Sequence, residues 1–532
     1  MDGIKKSRKI LKCLLIHDGT PIMASGLPAM AAFLRTNGFD CEVLNLYSEK
    51  KKNPDATIEI EKTIKEFDLI GISIHWFYQA PSAIDLARRI KNIFHDSFIV
   101  LGGFTASFFA KEIISEWDFI DGVIMGDGEI PLLRLCKEIS RGNRNFNDVP
   151  NLVYRKKNGK IFYPKLPFYF CDNQILNTLD FADLSVLHNY HYYIQTSSWR
   201  EITDGSHRVP FNIDSTFYLC GGRGCSVQCT YCGGGILSHL VHSMRENGFI
   251  FRSPSRIADD AEKAYAFGYR SIHTCFDPQP DGSHWFEFMK EICRRKIRLN
   301  FIFESFSIPS EEFLDKLSSS FDNVLLVLSP ETAVESLRKK SKGFFYTNRK
   351  LEKCLKIAGS KKNIFVQVFF GYFLPDDTKK TIEETLNYIY FLEKNYGSFA
   401  SFHYYPYSTD PCSPIYMTPE KFKMKCTLKS FKDYLNELKV CNKLSGNLLR
   451  HYPAHRKKGF FDIALLRIEL EMAMLRKQPQ KALQIRQNGS FSDPEKFYWT
   501  IARKLAQENQ NIFSIEREKL HEYVELFLKL TY

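Results

Sequence analysis

Short aliphatic and β-branched runs alternate with amphipathic stretches in two separate blocks of this chain, the pattern of parallel sheets wrapped by helices. In the first block the runs fall at 13–16, 42–46, 69–74, 98–101 and 122–125, with helical periodicity over 27–37, stopped by Gly38, and over 82–94. Five strands with crossover helices make a doubly wound, Rossmann-like α/β unit, whose ligand belongs outside the C-terminal strand ends. In the second block the runs fall at 216–219, 271–276, 300–304, 324–328, 365–369 and 401–405, with helices such as 254–267 and 379–395. Six such repeats form a (β/α)6 partial TIM barrel. Between the blocks, 151–165 reads as a hairpin about Asn158-Gly159, followed by an aromatic-rich stretch without a clear pattern. Beyond Thr418 strand signals fade, and 465–476 and 515–528 are helical. The expected division is 1–145, a linker at 146–210, the barrel at 211–417 and a helical C-terminal domain at 418–532.

Length and composition fit several soluble units: 532 residues exceed one ordinary core, with 44% hydrophobic and 25% charged residues. No apolar run reaches the ~18 residues of a membrane span; the stretch 364–374 is broken by Gln367 and Gly371. The apolar run 11–16 ends at His17 and Asp18, too short for a secretion signal. A cytoplasmic location without a membrane partner is expected, so the fourteen scattered cysteines are reduced thiols available to metal. The net charge of +12 and the basic runs 50–52 and 338–342 read as solvated faces, and no nucleic-acid partner is expected.

The densest chemistry follows the first strand of the second block: Cys225-Ser-Val-Gln-Cys229-Thr-Tyr-Cys232, then Gly233, Gly234 and Gly235. Three thiolates this close can converge on one side of a loop, and they are the soft ligands that iron-sulfur clusters and zinc prefer. A four-iron cube held by three protein ligands keeps one iron open to a chelating substrate. The competing reading is a closed zinc site with Cys220, His239 or His242 as fourth ligand; zinc loops usually pair two short chelates, and the second is missing here.

This stretch resembles the radical S-adenosylmethionine (SAM) superfamily, whose hallmark is C-x3-C-x2-C with an aromatic residue before the last cysteine, the place Tyr231 holds. The likeness covers about residues 211–415. It implies that Cys225, Cys229 and Cys232 ligate three irons of a [4Fe-4S] cluster while the amino and carboxylate groups of SAM chelate the fourth. Electron transfer into the sulfonium then releases methionine and a 5'-deoxyadenosyl radical. By the same likeness Tyr231, Ser329, Glu331 and Arg338 contact the cofactor, the arginine fork suiting a carboxylate. A plainer reading puts Glu331 in the first turn of a helix and leaves Arg338 solvated. The family's Gly-Gly-Glu after the second strand is absent; 273–278 stands there, and Asp277 is the expected contact to the SAM amino group.

The stretch 68–138 is similar to the cobalamin-binding domains that precede class B radical methyltransferases. Gly71-Ile-Ser73 closes the third strand, Gly102-Gly103 the fourth and Gly126-Asp-Gly128-Glu129 the fifth. Glycines there let a flat, bulky ring approach the backbone, so the likeness implies that these residues line a corrin. His75 and Trp76 follow the third strand and either line its lower face or pack the loop. No D-x-H-x-x-G signature occurs, and the rival ligand, a nucleotide, lacks its G-x-G-x-x-G after the first strand.

Together the likenesses imply a cobalamin-dependent radical SAM enzyme, most directly a methyltransferase acting on a carbon of a peptide or small molecule. Alternatives are a rearrangement, cyclisation or ring contraction with non-methylating cobalamin, and a zinc-containing protein without catalysis. The enzyme reading implies an external electron donor such as flavodoxin or ferredoxin. Phe402, Tyr404, Tyr405 and Tyr407 either line a cavity or pack the core, and the segment after 418 is expected to cover the barrel or help choose the substrate.

Overall fold

Each predicted run becomes a strand in the computed structural model. It describes residues 10–442 except 20–21, 23–24, 54–63, 65, 166–168, 200–208, 244–247, 275–281, 343–344, 373 and 425–427, together with 471–472, 475 and 479–487. The first sheet contains β1 (Lys12–His17), β2 (Asp40–Asn45), β3 (Leu69–Ser73), β4 (Phe98–Gly102) and β5 (Gly122–Ile124), parallel and in the order β2-β1-β3-β4-β5. Its strands are near-continuous apolar runs because both faces are covered: Cys13, Leu15 and Val43 pack on one side, Leu14, Ile16 and Ile70 on the other. The order reverses between β1 and β3, so the ligand crevice opens at their C-terminal ends. β2 stops one residue earlier than its apolar pattern, because the Asn45 side chain accepts the Ser48 N–H (3.3 Å) and starts the helix Leu46–Lys52.

The hairpin is present as β6 (Leu152–Arg155) and β7 (Ile161–Phe162), with Gly159 at φ 78° in its turn. It is more than a linker, for β6 pairs antiparallel with β5 and extends the first sheet. Behind it, the helix Tyr190–Thr196 packs beside Leu46–Lys52, where the Thr196 and Ser48 hydroxyls lie 2.7 Å apart.

The second sheet starts with β8 (Thr216–Tyr218), after which β9 (Gly222–Gly224) and β10 (Phe249–Phe251) form a separate antiparallel ribbon. It continues through β11 (Ser271–Thr274), β12 (Asn300–Ser305), β13 (Val324–Glu331), β14 (Ile364–Tyr372) and β15 (Ala400–Pro406), all parallel, with β8 and β15 at the edges. Alternation sorts the side chains. Phe303, Leu326, Val366, Phe402 and Tyr404 face the helices, whereas Tyr218, Ile302, Val327, Phe365 and Phe369 meet inside. Phe402 and Tyr404 are therefore core, and Tyr405, one position on, faces inward.

Trp199 reaches this interior from the segment before β8. Its ring lies 4.5 Å from His273 on β11, and its indole N–H donates to Gln367 on β14 (3.0 Å), three strands away. Those strands would lie ~14 Å apart in a flat sheet. The sheet therefore curls round the indole, which plugs the N-terminal half of the lumen with Ile213, Leu325 and Phe365.

The helix Phe431–Asn442 returns to the first unit, packing Phe431, Tyr434 and Leu435 into its core beside the helix Ala80–Ile93. There Glu112 accepts the N–H groups of Phe431 (3.0 Å) and Lys432 (3.1 Å). The helix Pro479–Gln487 lies against Lys379–Tyr396. The predicted helix 515–528 and most of 465–476 lie outside the described residues. Among the described residues no helix is long and apolar enough to cross a membrane.

Candidate functional site

Cys225, Cys229 and Cys232 occupy the loop between β9 and the helix Ile236–Ser243, each half-buried and in no disulfide. Backbone hydrogen bonds hold this loop from several directions: Cys225 N–H to Gly248 O (2.8 Å), Thr230 N–H to Ser341 O (2.9 Å) and Ile236 N–H to Val227 O (3.2 Å). The Gly233 N–H donates to the Asp410 carboxylate (3.0 Å). Two more N–H groups point at sulfur, Val227 at Cys225 Sγ (3.4 Å) and Gly234 at Cys232 Sγ (3.3 Å). Burial nevertheless pushes both thiols above their ordinary range. A bound multivalent cation reverses that balance and makes ligating thiolates. Among the described residues no three His, Cys, Asp or Glu donors converge as a single metal ion requires. Cys220 packs instead with Ala29, Cys171 and Phe181, and His239 lies against the Phe104 ring (5.1 Å). Three thiols gathered on one glycine-packed loop are the soft donor set that an iron-sulfur cluster takes.

Tyr231 and Glu331 do meet: the phenol donates to Glu331 Oε1 (3.0 Å), and its ring stacks on Tyr407 at 4.0 Å. Glu331 ends β13 at φ 63°, a left-handed conformation that a non-glycine residue keeps only under constraint. The Lys342 ammonium is 2.9 Å from Oε1, while Oε2 is buried without a hydrogen-bond partner among the described residues. An acceptor left open in this way fits a ligand donor. Ser329 is half-buried nearby, its carbonyl accepting from Lys342. Asp277 lies outside the described residues.

Arg338 departs from both sequence expectations. It is fully buried and donates to the carbonyls of Pro330 (2.9 Å), Thr332 (2.6 Å) and Tyr346 (2.5 Å) and to the Asn348 side chain (2.6 Å). Its fork is spent on the backbone that shapes the end of β13, so it is neither solvated nor turned to a carboxylate. Lys342, in the same basic run, is also buried rather than solvated.

At the first sheet the glycines divide. A side chain at Gly71 would meet Leu15 at 2.7 Å, so the sheet's own core fills that space and Gly71 lines no ligand. Gly103, at φ 104°, brings its loop onto the one after β3, where an added Cβ would stand 2.5 Å from Ile74 O. The Ser107 hydroxyl donates to Gly103 O (2.7 Å) and accepts the Gly126 N–H (3.0 Å), drawing the loop after β5 alongside. Ser73, His75, Gly102, Gly103 and Gly126 thus form one half-buried rim. Gly128 instead faces Met30, whose sulfur would lie 3.1 Å from an added Cβ.

Glu129 is buried and ion-paired with Arg223 on β9, which also reaches Asp127 (3.2 Å). It joins the two units rather than lining a ring. Arg223 escaped the sequence patterns because Gly222-Arg-Gly224 has no apolar run; a lone cation between glycines just before the cysteines was its signal.

His75 packs against Phe104 (4.5 Å) and Trp76 (5.0 Å). Burial, helped by nearby His17, lowers its pKa to about 4, so it is neutral at neutral pH. The Trp76 ring comes so close to Gly234 that an added Cβ there would stand 2.9 Å from it. The rim of the first sheet therefore touches the loop two residues beyond Cys232.

Residues 11–135 match the B12 binding domain family, and residues 219–389 match the Radical SAM superfamily. The chain is similar to hopanoid C-3 methylase of Methylococcus capsulatus, 26% identical over 208 residues, 39% of this chain and 35% of that protein. It is also similar to the uncharacterized methyltransferase PH0819 of Pyrococcus horikoshii, 28% identical over 279 residues, 50% of this chain and 53% of that protein. The chain thus spans between about a third and a half of these relatives' lengths. Among solved structures, the radical SAM methyltransferase TsrM of Kitasatospora setae, with cobalamin and a [4Fe-4S] cluster bound, shares the fold at a TM-score of 0.57 and 17% identity, over 78% of this chain and 75% of that one. A B12-binding domain ahead of a radical SAM domain, facing each other across Trp76 and Gly234, places this chain in the cobalamin-binding (class B) radical SAM enzyme family, with cobalamin, SAM and a [4Fe-4S] cluster as its cofactors.

Proposed function

We propose that this chain is a methyltransferase, moving a methyl group to a carbon of a small-molecule or peptide substrate. The carrying observation is the contact of Trp76, on the crevice of the first sheet, with Gly234 beside Cys232. Methyl transfer requires the two cofactors to face one cavity, and this contact supports such an arrangement. The names of the methylase and methyltransferase relatives point the same way.

In this reading Cys225, Cys229 and Cys232 hold the cluster, and Ser73, His75, Gly102, Gly103 and Gly126 receive the corrin. Tyr231, Ser329 and Glu331 meet SAM, with Asp277 assigned to its amino group. When bound, the cluster supplies the electron that splits SAM, and cobalamin carries the methyl group. The chain itself positions and seals. Glu331 offers Oε2 to a donor while Lys342 and Tyr231 hold Oε1. Trp199 closes the floor of the lumen, which helps keep side reactants out of the reacting space. An external flavodoxin or ferredoxin would deliver the electron, in a cytoplasm whose reducing conditions suit the thiols among the described residues, none of which is in a disulfide.

Protein reconstituted anaerobically with iron, sulfide, cobalamin and SAM is expected to form methylcobalamin; its failure to do so at any SAM concentration overturns the reading. With methyl-labelled SAM, a substrate product without label would replace methylation by rearrangement, cyclisation or ring contraction.

A further inference from the structure

The lumen of the second sheet has a closed half and an open half. Around Trp199, the inward residues His273, Ile302, Leu325, Val327, Phe365 and Gln367 are all buried. Toward the C-terminal strand ends, Glu304, Ser329, Phe369 and Tyr405 are only half-buried, so space opens above the indole. None of the six strands contains a lysine or arginine, and Glu304 and Glu331 are their carboxylates. Glu331 is answered by Lys342 (2.9 Å). Glu304 is met by His273 Nε2 (3.0 Å), whose Nδ1 is buried without a partner among the described residues. Among the described residues no lysine or arginine pairs with Glu304. The carboxylate is 28% exposed, facing the open half.

One wall of that half is aromatic. Phe369 stacks on His403 at 4.7 Å and 15°, and Tyr405 lies 9° from the plane of His403 and 6.1 Å from Phe369. These rings stand on β14 and β15, two and three strands from Glu304, or ~10 to 15 Å along the sheet and less across the curled lumen.

Resting on the methyltransferase reading, we propose that the open half of the lumen binds a substrate that carries a protonated amine beside a flat apolar group. Glu304 receives the cation, and the half-buried rings of Phe369 and Tyr405, backed by the buried His403, receive the flat group and also favour a nearby positive charge. An anionic substrate would meet a carboxylate that no lysine or arginine pairs with among the described residues, and no strand-borne cation.

The test uses two probes of matched size and opposite charge, phenethylammonium and 3-phenylpropionate, titrated into anaerobically reconstituted holoprotein by ligand-detected NMR. Wild type is expected to bind phenethylammonium at least about tenfold tighter, the discrimination one carboxylate gives. Glu304→Gln should bring the ratio to within about twofold, Glu304→Asp should restore it, and Phe369→Leu should weaken both probes alike. Equal or reversed preference in wild type, binding of neither probe, or an unchanged ratio in Glu304→Gln overturns the proposal. If Glu304→Gln does not fold, the wild-type ratio decides alone. Methylcobalamin formation by wild type is measured separately, so failure of the functional reading is distinguishable from failure of this one.

Discussion

Replacing Arg223 by methionine tests whether a buried ion triad fastens the cobalamin domain to the barrel. Arg223 is 17% exposed and faces Glu129 (2%) and Asp127 (10%), the latter at 3.2 Å. Burial works against its charge, but Glu129 and Asp127 outweigh it and raise the guanidinium pKa well above its ordinary value. At an effective dielectric constant of ~20, each contact near 3 Å is worth roughly 5 kcal/mol of Coulomb attraction. Desolvating the three groups offsets most of that. Removing the arginine alone takes this cation from two buried carboxylates, and losses of this kind run to about 3–5 kcal/mol. Arg223→Met should therefore lower urea stability by that amount, with the lost cooperativity falling between the two domains. Glu129→Gln added to Arg223→Met should recover about 1 kcal/mol or more, since it deletes one of the two carboxylate charges. Arg223→Met within about 1 kcal/mol of wild type, or a strictly additive double variant, would refute the reasoning.

Other consequences follow from single contacts. Gly103→Ala places a Cβ against Ile74 O at φ 104° and is expected to cost at least about 2 kcal/mol in denaturant titrations and to weaken cobalamin retention. Arg338→Lys should not rescue Arg338→Met, because one ammonium cannot serve three carbonyls and an amide; both are expected to lose about 3 kcal/mol or more. His75 has a folded pKa depressed to about 4, so the unfolded chain binds the extra proton between that value and 6.5. Stability from this source is complete above pH 6.5 and is lost as pH falls toward 4, by about 3 kcal/mol at most. His75→Gln should flatten that part of the stability-pH curve, and an unchanged curve would show that His75 does not cause it.

Much of this architecture was legible as pattern. Parallel strands covered on both faces must be apolar along their length, so the eleven runs stood out and their order implied a doubly wound unit followed by a barrel. The cysteine spacing with Tyr231 was equally local, since three ligands on one loop need no distant partner. The strand ends were less legible. Asn45 cut β2 short through a side-chain cap, and the ribbon pairs Gly222-Arg-Gly224 with a β10 of only three residues, too short a run to announce itself.

What the chain decided locally, then, was where strands and helices form and which thiols stand together. Only the tertiary structure decided which charges are buried and against what. Arg338 and Lys342 share a basic run that looks solvated, yet each turns inward because a helix presents one stripe to the core and another to water. Gly71 and Gly103 are identical in sequence, but Leu15 fills the space beside one while Ile74 O crowds the other. The meeting of Glu129 with Arg223, of Trp76 with Gly234 and of Trp199 with Gln367 joins residues about 90 to 170 positions apart. No local spacing encodes such pairs; the first two exist because the two units meet near their strand ends, and the third because the second sheet curls round Trp199.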